Sequence, residues 1–292
     1  MSIILSYINV VKIVFKLILF PYFHFIKLNK MKNKALLVGI NKYPNPNNEL
    51  RGCINDINDM RHFISESNKV YKAENIMVLK DHMATKQNIH DHIKWLLEDI
   101  QAGDQILFHY SGHGAQLPTQ NHKEELDGKD EIICPYDFDW NASTTFRDKE
   151  FAILFNAIPK DVHFVWISDS CHAEDLSRDP IVQSDTKFRN FAGKPLEANA
   201  NFINEPSLAL SALNLNGVLL SACASNQLSA DAYIENRFNG AFTHYLIKQL
   251  ETHSKNTPLS IVIENVNKEL SKNGYDQSPQ IEGRLSSSSF FL

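Results

Sequence analysis

Ile106-Leu107-Phe108-His109-Tyr110-Ser111-Gly112-His113-Gly114 and Val162-His163-Phe164-Val165-Trp166-Ile167-Ser168-Asp169-Ser170-Cys171-His172 decide how this chain reads. Each begins as a short apolar run of the kind that forms a buried strand. The first ends in an imidazole between two glycines and the second ends in a thiol. As parallel strands of one sheet, they bring His113 and Cys171 to the same edge. Open α/β sheets collect ligands and reacting groups at the carboxyl ends of their strands. A lone His between glycines is usually a turn residue, and a lone Cys after a strand is usually a core thiol. Their joint placement favours chemistry.

The surrounding sequence supports such a sheet. Residues 35–40 read as a first strand, 76–79 as a second, 105–110 as a third, 162–167 as a fourth main strand and 217–222 as a fifth. Ile54, Ile57, Met60, Phe63 and Ile64 recur at helical spacing over 53–65. Thr85 suits an N-cap for a helix whose one face carries Ile89, Ile93, Leu96, Leu97 and Ile100. Helices are also expected over 148–158, 240–250 and 260–270, with a short strand over 131–134. Alternation of this kind predicts an α/β fold with a mostly parallel sheet covered by helices. Residues 177–216, with Pro180, Pro195 and Pro206, read as an irregular, mobile linker. Residues 286–289 read as a tail or edge.

Composition narrows the function classes. The chain has 292 residues, 43% hydrophobic and 22% charged, with a formal net charge of -5. No long basic run is present, so nucleic acid is not expected as a partner. Cys53, Cys134, Cys171 and Cys223 match neither a zinc pattern nor a dense disulfide frame, which points to reduced thiols and a cytoplasmic location. Residues 1–30 are apolar but broken by Lys12, Lys16, Pro21, Lys27 and Lys30, too interrupted for a spanning helix. Two readings stand: a membrane-surface segment, or upstream sequence before a start at Met31. Residues 31–292 form the remaining domain.

A thiol attacks a carbonyl as thiolate, and an adjacent imidazole generates that state. His113 is the expected base for Cys171, and the N–H groups of Gly114 and Cys171 are the expected oxyanion donors. Gly112 and Gly114 leave the backbone bare for a tight turn and a close substrate. His109 and His163 lie inside apolar strands and read as structural; His172 competes as a base but adjoins Cys171 in sequence. Asp56 and Asp169 lie at the same sheet edge and would attract a cationic side chain. Equally, Asp56 reads as a helix cap and Asp169 as a solvated loop acid.

Leu50-Arg51-Gly52-Cys53, Asn55-Asp56, Ser111-Gly112-His113-Gly114, Gln116, Asp127-Gly128, Asp130-Glu131, Pro135, Asp137 and Asp169-Ser170-Cys171-His172 together resemble the metacaspases and bacterial caspase-like peptidases. Ser221-Ala222-Cys223, Gln227, Gly240-Ala241-Phe242-Thr243 and Gln277-Ser278-Pro279-Gln280 extend the resemblance over most of the chain. It implies a caspase-like three-layer sandwich with a central, mostly parallel sheet of six or more strands. It implies a cysteine endopeptidase with a His113–Cys171 dyad that cleaves protein or peptide substrates after Arg or Lys. Cys53, Asp56, Ser111 and Asp169 match the family's basic-residue pocket, which breaks the tie on the two acids. The resemblance further implies a monomer. Two departures stand out. His172-Ala173-Glu174 replaces the family's His-Ser-Gly. Asp130 and Asp148 match calcium-ligand positions, and Asp179 is a third candidate, but Lys149 replaces a family acid. No cofactor is required on this reading; calcium dependence is weak or absent. Arg178, Lys187, Arg189 and Lys194 make the linker a candidate for self-cleavage. The competing reading is a pseudopeptidase or regulatory scaffold that keeps the fold and binds a peptide.

Overall fold

The apolar runs fold into a six-stranded sheet with helices on both faces. The computed structural model describes residues 31–118, 129–141, 143–171, 186–191 and 216–292. Expectations for residues 1–30, His172, Glu174 and Asp179 lie outside the described residues. In chain order the elements begin β1 (Asn33–Gly39), α1 (Cys53–His62), β2 (Ile76–Lys80), α2 (Lys86–Leu97) and β3 (Gln105–Ser111). Next come β4 (Gly114–Pro118), β5 (Lys129–Ile133), β6 (Phe146–Arg147), α3 (Asp148–Phe155), β7 (His163–Asp169) and β8 (Lys187–Phe188). The chain ends with β9 (Val218–Ser221), β10 (Ala230–Ile234), β11 (Arg237–Gly240), α4 (Ala241–Thr252), α5 (Leu259–Lys272) and β12 (Gln280–Glu282).

The main sheet has the order β12-β9-β7-β3-β1-β2 and is parallel except for β12, which runs antiparallel to β9. The chain leaves β1 in one direction to form β2 and returns past it to form β3. With right-handed crossovers, that reversal puts α1 and α2 on opposite faces. Alternate strand residues serve the two layers. Leu37, Leu107, Val165 and Ile167 pack with Ile57 and Met60 of α1, Phe242 and Leu246 of α4 and Val262 and Val266 of α5. Leu36, Val38, Phe108, Phe164 and Trp166 pack with Ile89, Ile93 and Leu96 of α2 and Phe151 and Phe155 of α3. Thr85 caps α2 as expected, its hydroxyl accepting from Asn88 N at 3.3 Å.

Two segments differ from the sequence reading. Part of the expected linker is ordered: β8 pairs with β10, and Arg189 is fully buried. The segment 229–240 forms a β-hairpin, β10–β11, through left-handed Glu235 and Asn236. Of the two readings of residues 286–289, tail or edge, the structure takes the edge: Ser289 bridges Pro258 antiparallel and Ser288 O accepts from Leu259 N at 2.8 Å, and beyond them Phe290 and Phe291 are buried in contact with Phe63. Among the described residues, no helix is long and apolar enough to cross a membrane.

Candidate active site

Ser111 and Asp169 are partners in the β3–β7 register, so both strands release their chains at one level. Gly112 N donates across to Asp169 O at 3.3 Å. Gly112 has a different use from the one expected: a Cβ there would lie 2.6 Å from the Tyr110 hydroxyl and 3.1 Å from that of Tyr43. Those hydroxyls fix the turn that carries the imidazole. His113 N donates to the Tyr43 hydroxyl at 3.0 Å, and the Tyr110 hydroxyl donates to His113 O at 2.7 Å.

The His113 ring is held through Nε2, 2.8 Å from Asn48 O. A carbonyl can only accept, so this contact assigns the proton to Nε2. Nδ1, buried and without a hydrogen-bond partner among the described residues, keeps the lone pair a general base needs. Burial lowers the imidazole to about 4, against the opposing pull of the Asn48 and Arg189 carbonyls. The Cys171 thiol, fully buried, is pushed up to about 12, with the Ser229 backbone and Arg189 charge pulling the other way. Burial thus favours the neutral form of both groups.

What covers them is the chain's own residue 189. Arg189 O accepts from Gly114 N at 2.9 Å and from Cys171 N at 3.4 Å, the two donors expected to hold an oxyanion. Arg189 N donates to Ser229 O at 3.1 Å, and β8 pairs Lys187 with Asp231 and Phe188 with Ala230. The segment therefore lies as an added antiparallel strand on β10, the way extended peptides dock on a sheet edge.

The Arg189 side chain fills an acidic pocket. Nη2 lies 2.7 Å from Asp56 Oδ2 and 3.3 Å from Asp231 Oδ1, and Nη1 lies 3.1 Å from Asp169 Oδ1. Nη1 also donates to Ser111 Oγ at 2.8 Å. The acids are held from behind. Asp169 accepts from Ser229 Oγ at 2.7 Å and from Thr243 Oγ1 at 2.7 Å and N at 3.0 Å. Asp56 accepts from Ser111 Oγ at 2.7 Å and Gly240 N at 2.8 Å. Burial raises Asp56 to about 7, and Arg189 opposes that rise by pairing with the carboxylate. At Gly240 a Cβ would lie 2.3 Å from Asp169 Oδ2 and 2.7 Å from Arg189 Cζ, so only glycine leaves room for the guanidinium.

Asp56, Ser111 and Asp169 thus converge on the Arg189 guanidinium. Neither acid plays its alternative part: Gly52 is the N-cap of α1, and Asp169 is fully buried at the end of β7. Cys53 is buried in the first turn of α1; burial pushes its thiol up while the Arg189 charge pulls it down. His109 is buried with Nε2 3.3 Å from Thr243 Oγ1 and is lowered by burial to about 4. Asp130 lies in β5 and Asp148 opens α3; their side chains lie outside those described. The sequence reading missed Asp231, which besides Arg189 accepts from Arg51 N and Gly52 N, each at 2.8 Å. No motif of the sequence analysis singled it out.

The sequence model for the caspase domain, of the peptidase C14 family, matches residues 32–290. The chain belongs to that family. Metacaspase-1 of Candida albicans is 29% identical, over 86% of this chain and 64% of its own length. Metacaspase-1 of Kluyveromyces lactis is 30% identical, over 86% and 65%. The chain thus spans slightly less than two thirds of these relatives. The crystal structure of protein GSU0716 from Geobacter sulfurreducens superposes with a TM-score of 0.67 at 23% identity, covering 89% of this chain and 99% of that one. That likeness concerns the fold: a caspase-like sandwich around a mostly parallel six-stranded sheet.

Proposed function

We propose that this caspase-domain chain is a cysteine endopeptidase that hydrolyses peptide bonds after Arg or Lys, and that Arg189–Asn190 is one of its own substrates. The observation that carries the reading is the pose of Arg189. Its guanidinium lies among three buried acids while its carbonyl oxygen accepts from Gly114 N and Cys171 N.

The chemistry follows from that pose. His113 Nδ1 takes the proton of the Cys171 thiol as Sγ attacks the Arg189 carbonyl carbon. Negative charge grows on the carbonyl oxygen facing the two N–H donors. Collapse breaks the C–N bond, and His113 delivers its proton to the departing Asn190 nitrogen. A thioester remains on Cys171. Water adds to it with His113 again as base, releasing the Arg189 carboxylate and restoring the thiol. In other substrates an Arg or Lys side chain takes the guanidinium's place. An uncharged residue would leave three buried acids without a cation, which is why charge decides specificity here.

Quenched peptides carrying Arg, Lys or Asp before the scissile bond test this reading. Turnover of the Arg and Lys peptides alone, lost in Cys171→Ala and in His113→Ala, is expected. No turnover by folded protein supports the scaffold reading instead, in which Arg189 is a permanent plug. We also propose that calcium is dispensable: millimolar calcium or EDTA is expected to change the Arg rate by less than about twofold. A large calcium stimulation would contradict this.

A further inference from the structure

Past the Arg189–Asn190 bond the segment is held by rings. Phe191 stands two residues beyond Arg189 and meets four aromatic side chains edge-on. Ring centroids lie 4.8 Å away at Phe138, 5.6 Å at Tyr43, 5.6 Å at His113 and 6.1 Å at Trp140, with interplanar angles of 76° to 90°. Such T-shaped contacts are the favoured geometry for aromatic pairs.

The backbone delivers the ring there. Phe191 N donates to Gly114 O at 3.0 Å, while Gly114 N donates to Arg189 O at 2.9 Å. One residue, Gly114, therefore fixes both the carbonyl to be attacked and the position of the side chain two residues later. Apart from His113, which follows β3, the rings belong to two loops, one after β1 and one after β5. Tyr43 and Phe138 are buried, and Trp140 packs on Phe138 with centroids 4.9 Å apart. Trp140 has φ 67°, a conformation that bulky residues rarely adopt. Its loop is tied through Asp139, which accepts from Asn141 N, Asn141 Nδ2 and Thr144 Oγ1. Neither the dyad nor the acidic pocket needs Phe138 or Trp140.

We infer that Tyr43, Phe138 and Trp140 form a second specificity subsite, one that takes an aromatic side chain two residues after the cleaved bond. The inference rests on the peptidase reading and adds a substrate class: segments of the form Arg-X-aromatic, cut in preference to Arg-X-Ala. Phe191 is the chain's own occupant of that subsite.

Quenched peptides Lys-Phe-Arg-Asn-Xaa, with Xaa Phe, Leu or Ala, given to the full chain test it. The Phe peptide is expected to exceed the Ala peptide about tenfold in kcat/KM, with Leu between, as a partly buried aromatic group would produce. Trp140→Ala is expected to bring the Phe/Ala ratio within about twofold of one. Phe138→Leu, which keeps an apolar group in place, is expected to lower the same ratio and carries the test should Trp140→Ala not fold. Equal rates for Phe and Ala overturn the subsite while leaving Arg specificity standing. A Phe preference unmoved by both variants also overturns it. Failure to cut any of the three peptides overturns the peptidase reading itself.

Discussion

On one side of the Arg189–Asn190 bond the chain is gripped by charge; on the other it rests among rings. The Arg189 side reaches three carboxylates and a hydroxyl drawn from α1, β3, β7 and β10. The Phe191 side has one backbone bond and a set of edge-on aromatic contacts from two loops. The two chemistries fail differently. An acidic pocket without its cation holds buried unpaired charge, at a cost on the order of 3–5 kcal/mol per broken pair. A ring pocket without its ring loses packing worth about 0.5–1.5 kcal/mol per aromatic pair, and water or a smaller side chain fills in. On the proposed reading, the first side decides whether a segment is cut, and the second grades how well.

The largest expected break of that contrast is Asp169→Asn. It removes one charge from the cluster and weakens the bonds from Arg189, Ser229 and Thr243. kcat/KM for an Arg peptide should fall about 10³-fold, while circular dichroism stays that of a folded protein. A loss under tenfold would mean that the pocket does not select by charge. Arg189→Gln should nearly abolish cleavage at residue 189, whereas Arg189→Lys should keep it within about tenfold of wild type; time-resolved gels measure both. Equal cleavage of the Gln and Arg chains would detach specificity from the acids.

Only part of the charged side of this contrast was legible in the sequence, and the limits are instructive. The two strand-end motifs needed only an apolar run followed by Gly-His-Gly or Ser-Cys, so His113 and Cys171 could be placed from local pattern. Asp56, Ser111 and Asp169 needed the family resemblance, because a helix acid and a strand-end acid look alike in sequence whether buried or solvated. Asp231 escaped because its hairpin turns through Glu235-Asn236, both left-handed, without the Asn-Gly or Asp-Gly signal of a tight turn. Residues 186–191 escaped for a different reason. A Pro-interrupted linker carries no periodicity, and what orders this piece is tertiary: the Arg189 pairs with residues distant in sequence. The ring subsite left no motif at all, since Tyr43, Phe138, Trp140 and Phe191 converge only in the folded chain.

pH separates the two sides more gently. Asp56 is raised by burial to about 7, so it gains a proton as pH falls through neutrality and the pocket loses charge. KM for an Arg peptide should therefore rise several-fold from pH 8 to pH 6. His113 in the occupied site is lowered to about 4, so it stays a free base across that range and kcat should hold. A kcat that drops with a midpoint near 6.5 while KM stays flat would reverse the assignment. The ring side is graded: Phe191→Ala should slow self-cleavage by about tenfold at most, as gel densitometry would show. Complete loss would make Phe191 part of the grip and not of the grading.

The most direct measurement is mass mapping of the full-length chain, purified as wild type and as Cys171→Ala. A new N-terminus at Asn190 in the wild type, absent from Cys171→Ala, is the predicted result. A wild-type chain that stays intact through prolonged incubation while Arg peptides are turned over would contradict the substrate pose of Arg189, as would processing confined to other basic residues.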